Sequence, residues 1–94
     1  MLTHFLTNNV FTLFYNPAAK RSKPITFDSS GAIVDGHNDN EHRWRVNSGR
    51  LEIIQSDGAV HSRFVYVPTD RSFQHTNDPD TLSVANQRIV LESP

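Results

Sequence analysis

The stretch Glu41-His42-Arg43-Trp44-Arg45-Val46-Asn47-Ser48-Gly49-Arg50-Leu51-Glu52-Ile53-Ile54-Gln55-Ser56-Asp57-Gly58-Ala59 decides the fold. It reads as strand, turn, strand, turn. Asn47-Ser48-Gly49 and Ser56-Asp57-Gly58 supply the positive φ angles that tight hairpins demand. Between the turns the side chains alternate. His42, Trp44 and Val46 share one face, Arg43 and Arg45 the other, and Leu51 and Ile53 lie opposite Glu52. Hairpins this tight make antiparallel pairs; a parallel pair needs a crossover of about a dozen residues.

The pattern continues in both directions. Downstream, Ala59–Val67 is the longest strand, with Val60, Ser62, Phe64 and Tyr66 alternating against His61, Arg63, Val65 and Val67. A turn at Pro68–Arg71 leads to a short strand, Ser72–His75, then a polar loop, Thr76–Thr81, and a closing strand, Gln87–Glu92. Upstream, turns at Asp28–Gly31 and Asp35-Gly36 separate the strands Ile25–Phe27 and Ala32–Val34 from Glu41–Val46. The first strand is Val10–Tyr15, and a basic loop from Asn16 to Pro24 follows it. Helical spacing is confined to one turn at Leu2, Phe5 and Leu6 and a second at Asp80–Gln87. With no long helix to cover it, the apolar face of the sheet must be hidden by the sheet itself. The expected fold is all-β: a single domain over 1–94, a small antiparallel meander closed or strongly curled into a barrel. Any open edge would invite pairing, so a homodimer is an expectation too.

Ninety-four residues suit one domain. Nine Lys+Arg against ten Asp+Glu leave a net charge of −1, which argues against general nucleic-acid binding and against a polybasic membrane surface. The 36% hydrophobic and 10% aromatic content argues against a disordered chain. Zero cysteines exclude disulfides and thiolate metal sites. No apolar run approaches the ~20 residues of a membrane helix, and the first residues lack a basic secretory leader, so the expected location is cytoplasmic.

Residues 25 to 64 carry a further pattern: Ile25-Thr26-Phe27, Gly31-Ala32-Ile33, Asn40-Glu41-x-x-Trp44, Gly49-Arg50-Leu51-Glu52-Ile53, Gly58 and Ser62-Arg63-Phe64. This order resembles a small β-domain that accompanies some bacterial glycosyltransferases and other polysaccharide-biosynthesis proteins. The layout is also similar to a shortened lipocalin- or avidin-like barrel. The resemblance implies a role near carbohydrate.

The chemistry-bearing residues concentrate before and within the Trp44 strand. Asn40, Glu41, Arg43, Trp44 and Arg45, with Arg63 where the register brings it to the same face, are the candidate ligand-binding residues. Trp stacks on sugars, and Arg pairs with carboxylate or phosphate. The plainer alternative makes Trp44 a core anchor, Glu41 a loop closer that accepts backbone N–H groups, and the arginines a solvated face. Five histidines suggest zinc, but His37-x-x-x-Glu41-His42 matches no ligand spacing, and no metal or other cofactor is expected. No Gly-x-Ser-x-Gly elbow or cysteine nucleophile is present. The leading expectation is therefore a non-enzymatic module for a saccharide or other small ligand. The alternatives are a hydrolase-type enzyme using Asp39, Glu41 and His42, and a homodimeric assembly protein.

Overall fold

The computed structural model describes residues 2–92. It is mostly β, as the alternation predicts. Seven antiparallel strands form one sheet in the order β2-β1-β7-β6-β5-β4-β3. They are β1 (Phe11–Asn16), β2 (Arg21–Ile25), β3 (Arg43–Asn47), β4 (Arg50–Ile54), β5 (Val60–Val67), β6 (Ser72–His75) and β7 (Arg88–Leu91). The β3–β4 connection is the two-residue turn read from Asn47-Ser48-Gly49. Asn47 pairs with Arg50, and Ser48 and Gly49 between them have φ of +52° and +77°. That positive pair matches the strand twist and fixes the register of the hairpin.

The sheet curls into a half-barrel, and its outermost strands are linked by the irregular hairpin between them in sequence. Phe27 bridges Ile33, and Ala32 bridges Arg43. Thr26 N–H donates to Asp35 O, Val34 N–H to Thr26 O, and Trp44 N–H to Gly31 O. The strands expected at Ile25–Phe27 and Ala32–Val34 are thus the two arms of this closing hairpin, pared down to single bridges. The core lies on the concave face, where Phe11, Leu13, Ile25, Trp44, Leu51, Ile53, Phe64, Phe73 and Ile89 are buried. Rings meet edge to face within it, with Phe27 and Trp44 at 5.6 Å and Phe11 and Phe27 at 5.8 Å between centroids.

The helical turn expected near Leu2 is α1 (Leu2–Thr7). It closes one end of the half-barrel. Leu6 is fully buried, and the Phe5 ring lies 5.4 Å from those of Phe11 and Tyr66. Side chains satisfy its last carbonyls: Asn8 Nδ2 donates to His4 O and Asn9 Nδ2 to Phe5 O.

Three expectations change. The basic loop is instead a 3₁₀ turn, Pro17–Ala19, followed by strand β2. Charge and Pro24 mask this strand in the sequence, and both are what an edge strand tolerates. No helix forms over 80–87, where the chain makes turns and bends held to neighbouring strands. His61 leaves the outward set, because the register shifts by one residue between Ile53–Ser62 and Ile54–Val60. The bulge breaks the alternation, and His61 is buried.

Candidate functional site

The end of the half-barrel away from α1 opens into a cleft of about 520 Å³, within the ~300–1,000 Å³ range of small-ligand sites. Four parts of the chain build it. Tyr15, Asn16 and Lys23 come from the β1–β2 hairpin, and Asn38, Asn40 and Glu41 from the loop before β3. The bulge in β5 provides His61, and the segment before β7 provides Leu82, Ser83, Val84 and Gln87.

The loop carrying Asn40 and Glu41 is held by hydrogen bonds within itself and to the β4–β5 turn. Asn38 Oδ1 accepts the N–H groups of Asn40 and Glu41 at 2.9 and 2.7 Å. Ser56 N–H donates to Asp39 O at 2.8 Å, which docks the loop on the β4–β5 turn. Loop closure thus falls to Asn38. The Glu41 side chain is left for the cleft, 6% exposed. Its Oε1 accepts from Lys23 Nζ at 2.6 Å, and its Oε2 lies 3.4 Å from His61 Nε2. Lys23 also lies 5.5 Å from the centre of the Tyr15 ring. Burial pushes the His61 imidazole below its ordinary pKa; Glu41 opposes that shift and Lys23 adds to it.

The opposite wall is strapped to β5. Leu82 and Ser83 both donate their N–H groups to His61 O. His75 holds the same segment from behind. Asn77 N–H donates to its Nδ1 at 2.7 Å, so the ring proton sits on Nε2 and is donated to Ser83 Oγ at 2.8 Å. Burial lowers the His75 pKa as well, which keeps this arrangement neutral. Gln87 is 3% exposed; its Nε2 donates to Tyr15 O, and its Oε1 has no partner among the described residues.

The sequence candidates divide between two faces. Asn40 and Glu41 line the cleft. Trp44 is 7% exposed, packs on Phe27, and donates its indole N–H to Asp28 O at 2.9 Å. Arg43, Arg45 and Arg63 lie on the convex face. The register does bring Arg63 beside Arg45, because both flank Glu52 across neighbouring strands. Their charges are met there. Arg45 Nε and Arg63 Nε each donate to the Glu52 carboxylate at 2.7 Å, and Arg63 also reaches Asp78 and Asp80. Arg43 Nη2 donates to Ser30 O. Three arginines against three carboxylates leave little net charge for an anionic ligand.

The Asp39, Glu41 and His42 set does not share one network. Asp39 is exposed, Glu41 bonds Lys23, and His42 Nδ1 lies 2.8 Å from His37 Nε2. Lys23, His61 and Gln87 lie in the cleft but outside the ligand-binding set expected from the sequence, which weighs His61 only as one of five histidines and Lys23 only as part of a basic loop. Lys23 is hidden in an apparent loop, His61 in an apparent outward position, and Gln87 at a strand end. The chain matches no protein-family model, no curated protein and no solved structure. Among the described residues, no helix is long and apolar enough to cross a membrane.

Proposed function

We infer that this protein is a binding module that takes a small, neutral, polyhydroxylated ligand of saccharide type in the cleft at the open end of the half-barrel. The observation that carries this reading is the buried Glu41, held between Lys23 and His61 on the cleft wall. The Lys23 ammonium cancels the Glu41 charge. An ionic ligand therefore gains little here, whereas hydroxyl groups find many partners in Asn38, Asn40, Tyr15 and Gln87. Leu82 and Val84, 61% and 49% exposed, add an apolar wall on which the C–H face of a sugar ring can rest. The resemblance of residues 25 to 64 to the β-domain of polysaccharide-biosynthesis proteins points the same way, and its Asn40-Glu41 pair lies in the cleft.

Saturation-transfer NMR tests this with methyl α-glucopyranoside, methyl α-galactopyranoside, N-acetylglucosamine and myo-inositol. At least one should receive magnetisation from the wild type and lose it in Glu41→Ala. Transfer that survives Glu41→Ala undiminished would place the ligand elsewhere.

A further inference from the structure

The chemistry of the cleft wall narrows how a ligand is held, beginning with the hydrogen bonds of Asp57. Its carboxylate accepts the N–H of Ala59 and, from Gln55 Nε2, a shared bond at 3.3 and 3.4 Å. These contacts hold it below the usual carboxylate pKa, so it stays ionised and only accepts. Gln55 must therefore point its amide nitrogen at Asp57 and its carbonyl at His61. That carbonyl, Oε1, lies 2.9 Å from His61 Nδ1. Since a carbonyl only accepts, Nδ1 carries the ring proton. In the neutral ring, Nε2 is then a bare lone pair.

This lone pair faces Glu41 Oε2 at 3.4 Å, while Lys23 is engaged with the other oxygen, Oε1. Two acceptors thus confront each other on the wall of a cleft with no hydrogen between them. Such a pair is unfavourable until a donor arrives. Resting on the binding reading above, we propose that neighbouring hydroxyls of the ligand donate side by side to Glu41 Oε2 and His61 Nε2, and that a proton on His61 competes with the ligand for this place. The donor is a neutral hydroxyl rather than an ammonium or a metal ion, because the Lys23 ammonium 2.6 Å from Glu41 repels a second cation. An anion is refused by the two acceptors themselves.

Acid closes the site. A proton on Nε2 turns His61 into a donor, and its N–H then pairs with Glu41 Oε2. The charged and titratable groups around His61 are Glu41, which favours protonation; Lys23, which opposes it; Tyr15, also on the cleft lining; and His75 on the adjacent β6.

The test uses the full chain and reads two quantities. Two-bond ¹⁵N–¹H correlation of the histidine rings at pH 7.5 should show His61 as the Nδ1–H tautomer; the Nε2–H tautomer overturns the proposal and leaves the cleft reading intact. Titration with the four sugars and polyols named above, between pH 7.5 and 5, should show a dissociation constant that rises about tenfold per pH unit once His61 protonates. Affinity that stays constant as the pH is lowered until the ring spectra show His61 protonated also overturns the proposal alone. Failure of all four compounds to bind overturns the proposal and the cleft reading together.

Discussion

Glu52 stands directly opposite Arg63 across β4 and β5, and its carboxylate, 2% exposed on the convex face of the sheet, accepts Arg63 Nε at 2.7 Å. A carboxylate so covered is tolerable only because two guanidinium groups cover it. Burial pulls its pKa up, and the hydrogen bonds from Arg45 and Arg63 outweigh that and set it below the usual range. The two arginines are unequal, since the Arg45 side chain is 56% exposed and that of Arg63 18%. Arg63→Ala should cost about 2 kcal/mol in urea denaturation, and Arg45→Ala under ~1 kcal/mol. Equal losses would contradict this. Arg63 also anchors Asp78 and Asp80, so its removal should speed hydrogen exchange at the Leu82 and Ser83 amides on the cleft wall.

Trp44 joins the closing hairpin to the core, through Phe27 and through the carbonyl of Asp28. Trp44→Phe keeps most of the apolar area and removes one of the two donors to that carbonyl, the Gly31 N–H remaining, so it should cost about 1 kcal/mol. Trp44→Ala also opens a cavity and should cost about 3–5 kcal/mol. Since Trp44 is the chain's one tryptophan and does not line the cleft, its emission should be that of a buried indole and unmoved by saccharide.

Gly36 and Gly58 both have positive φ, +81° and +90°, but different surroundings. A Cβ at Gly36 would lie 2.6 Å from Pro24 O, whereas one at Gly58 meets nothing within 4 Å. Gly58→Ala should therefore cost only the left-handed backbone strain, about 1 kcal/mol. Gly36→Ala must in addition push the closing hairpin off β2, so its melting temperature should fall clearly further. A ranking in the reverse order would show that the hairpin yields freely.

His61 and His75 are both depressed, chiefly by burial. An imidazole with a folded pKa below its unfolded value binds its proton more readily in the unfolded chain. The stability gained from neutral rings is therefore complete above ~6.5 and lost as the pH falls from there through the folded values. For His75 the loss has a visible route, because a proton on Nδ1 confronts the Asn77 N–H. Glu52 is depressed as well, and its contribution is present above ~4.3 and lost at lower pH. The urea midpoint should decline from pH 7.5 to 5 and again below pH 4. A flat profile between 7.5 and 5 would contradict the account of the two histidines.

Much of the half-barrel is legible in the chain, for local reasons. The turns at Ser48-Gly49 and Asp57-Gly58 set β3, β4 and β5, and alternation puts Trp44 inward and the arginines outward. What escapes such reading is non-local. Arg21–Ile25 looks like a charged loop because its strand character comes from pairing with β1. His61 turns inward through a bulge that only the register reveals. The cleft follows suit. Asn40 and Glu41 stand out by density of functional groups, while Lys23, His61 and Gln87 acquire their roles from chain segments far apart in sequence.

The central claim is that the cleft holding Glu41, Lys23 and His61 binds a neutral polyol. Mapping ¹H–¹⁵N backbone and side-chain shifts during titration with the pyranosides tests it most directly. Saturable shifts should cluster at Lys23, Asn38, Asn40, Glu41, His61 and Ser83, with Arg43, Arg45 and Arg63 still. No saturable shift, or shifts centred on those three arginines, would contradict it.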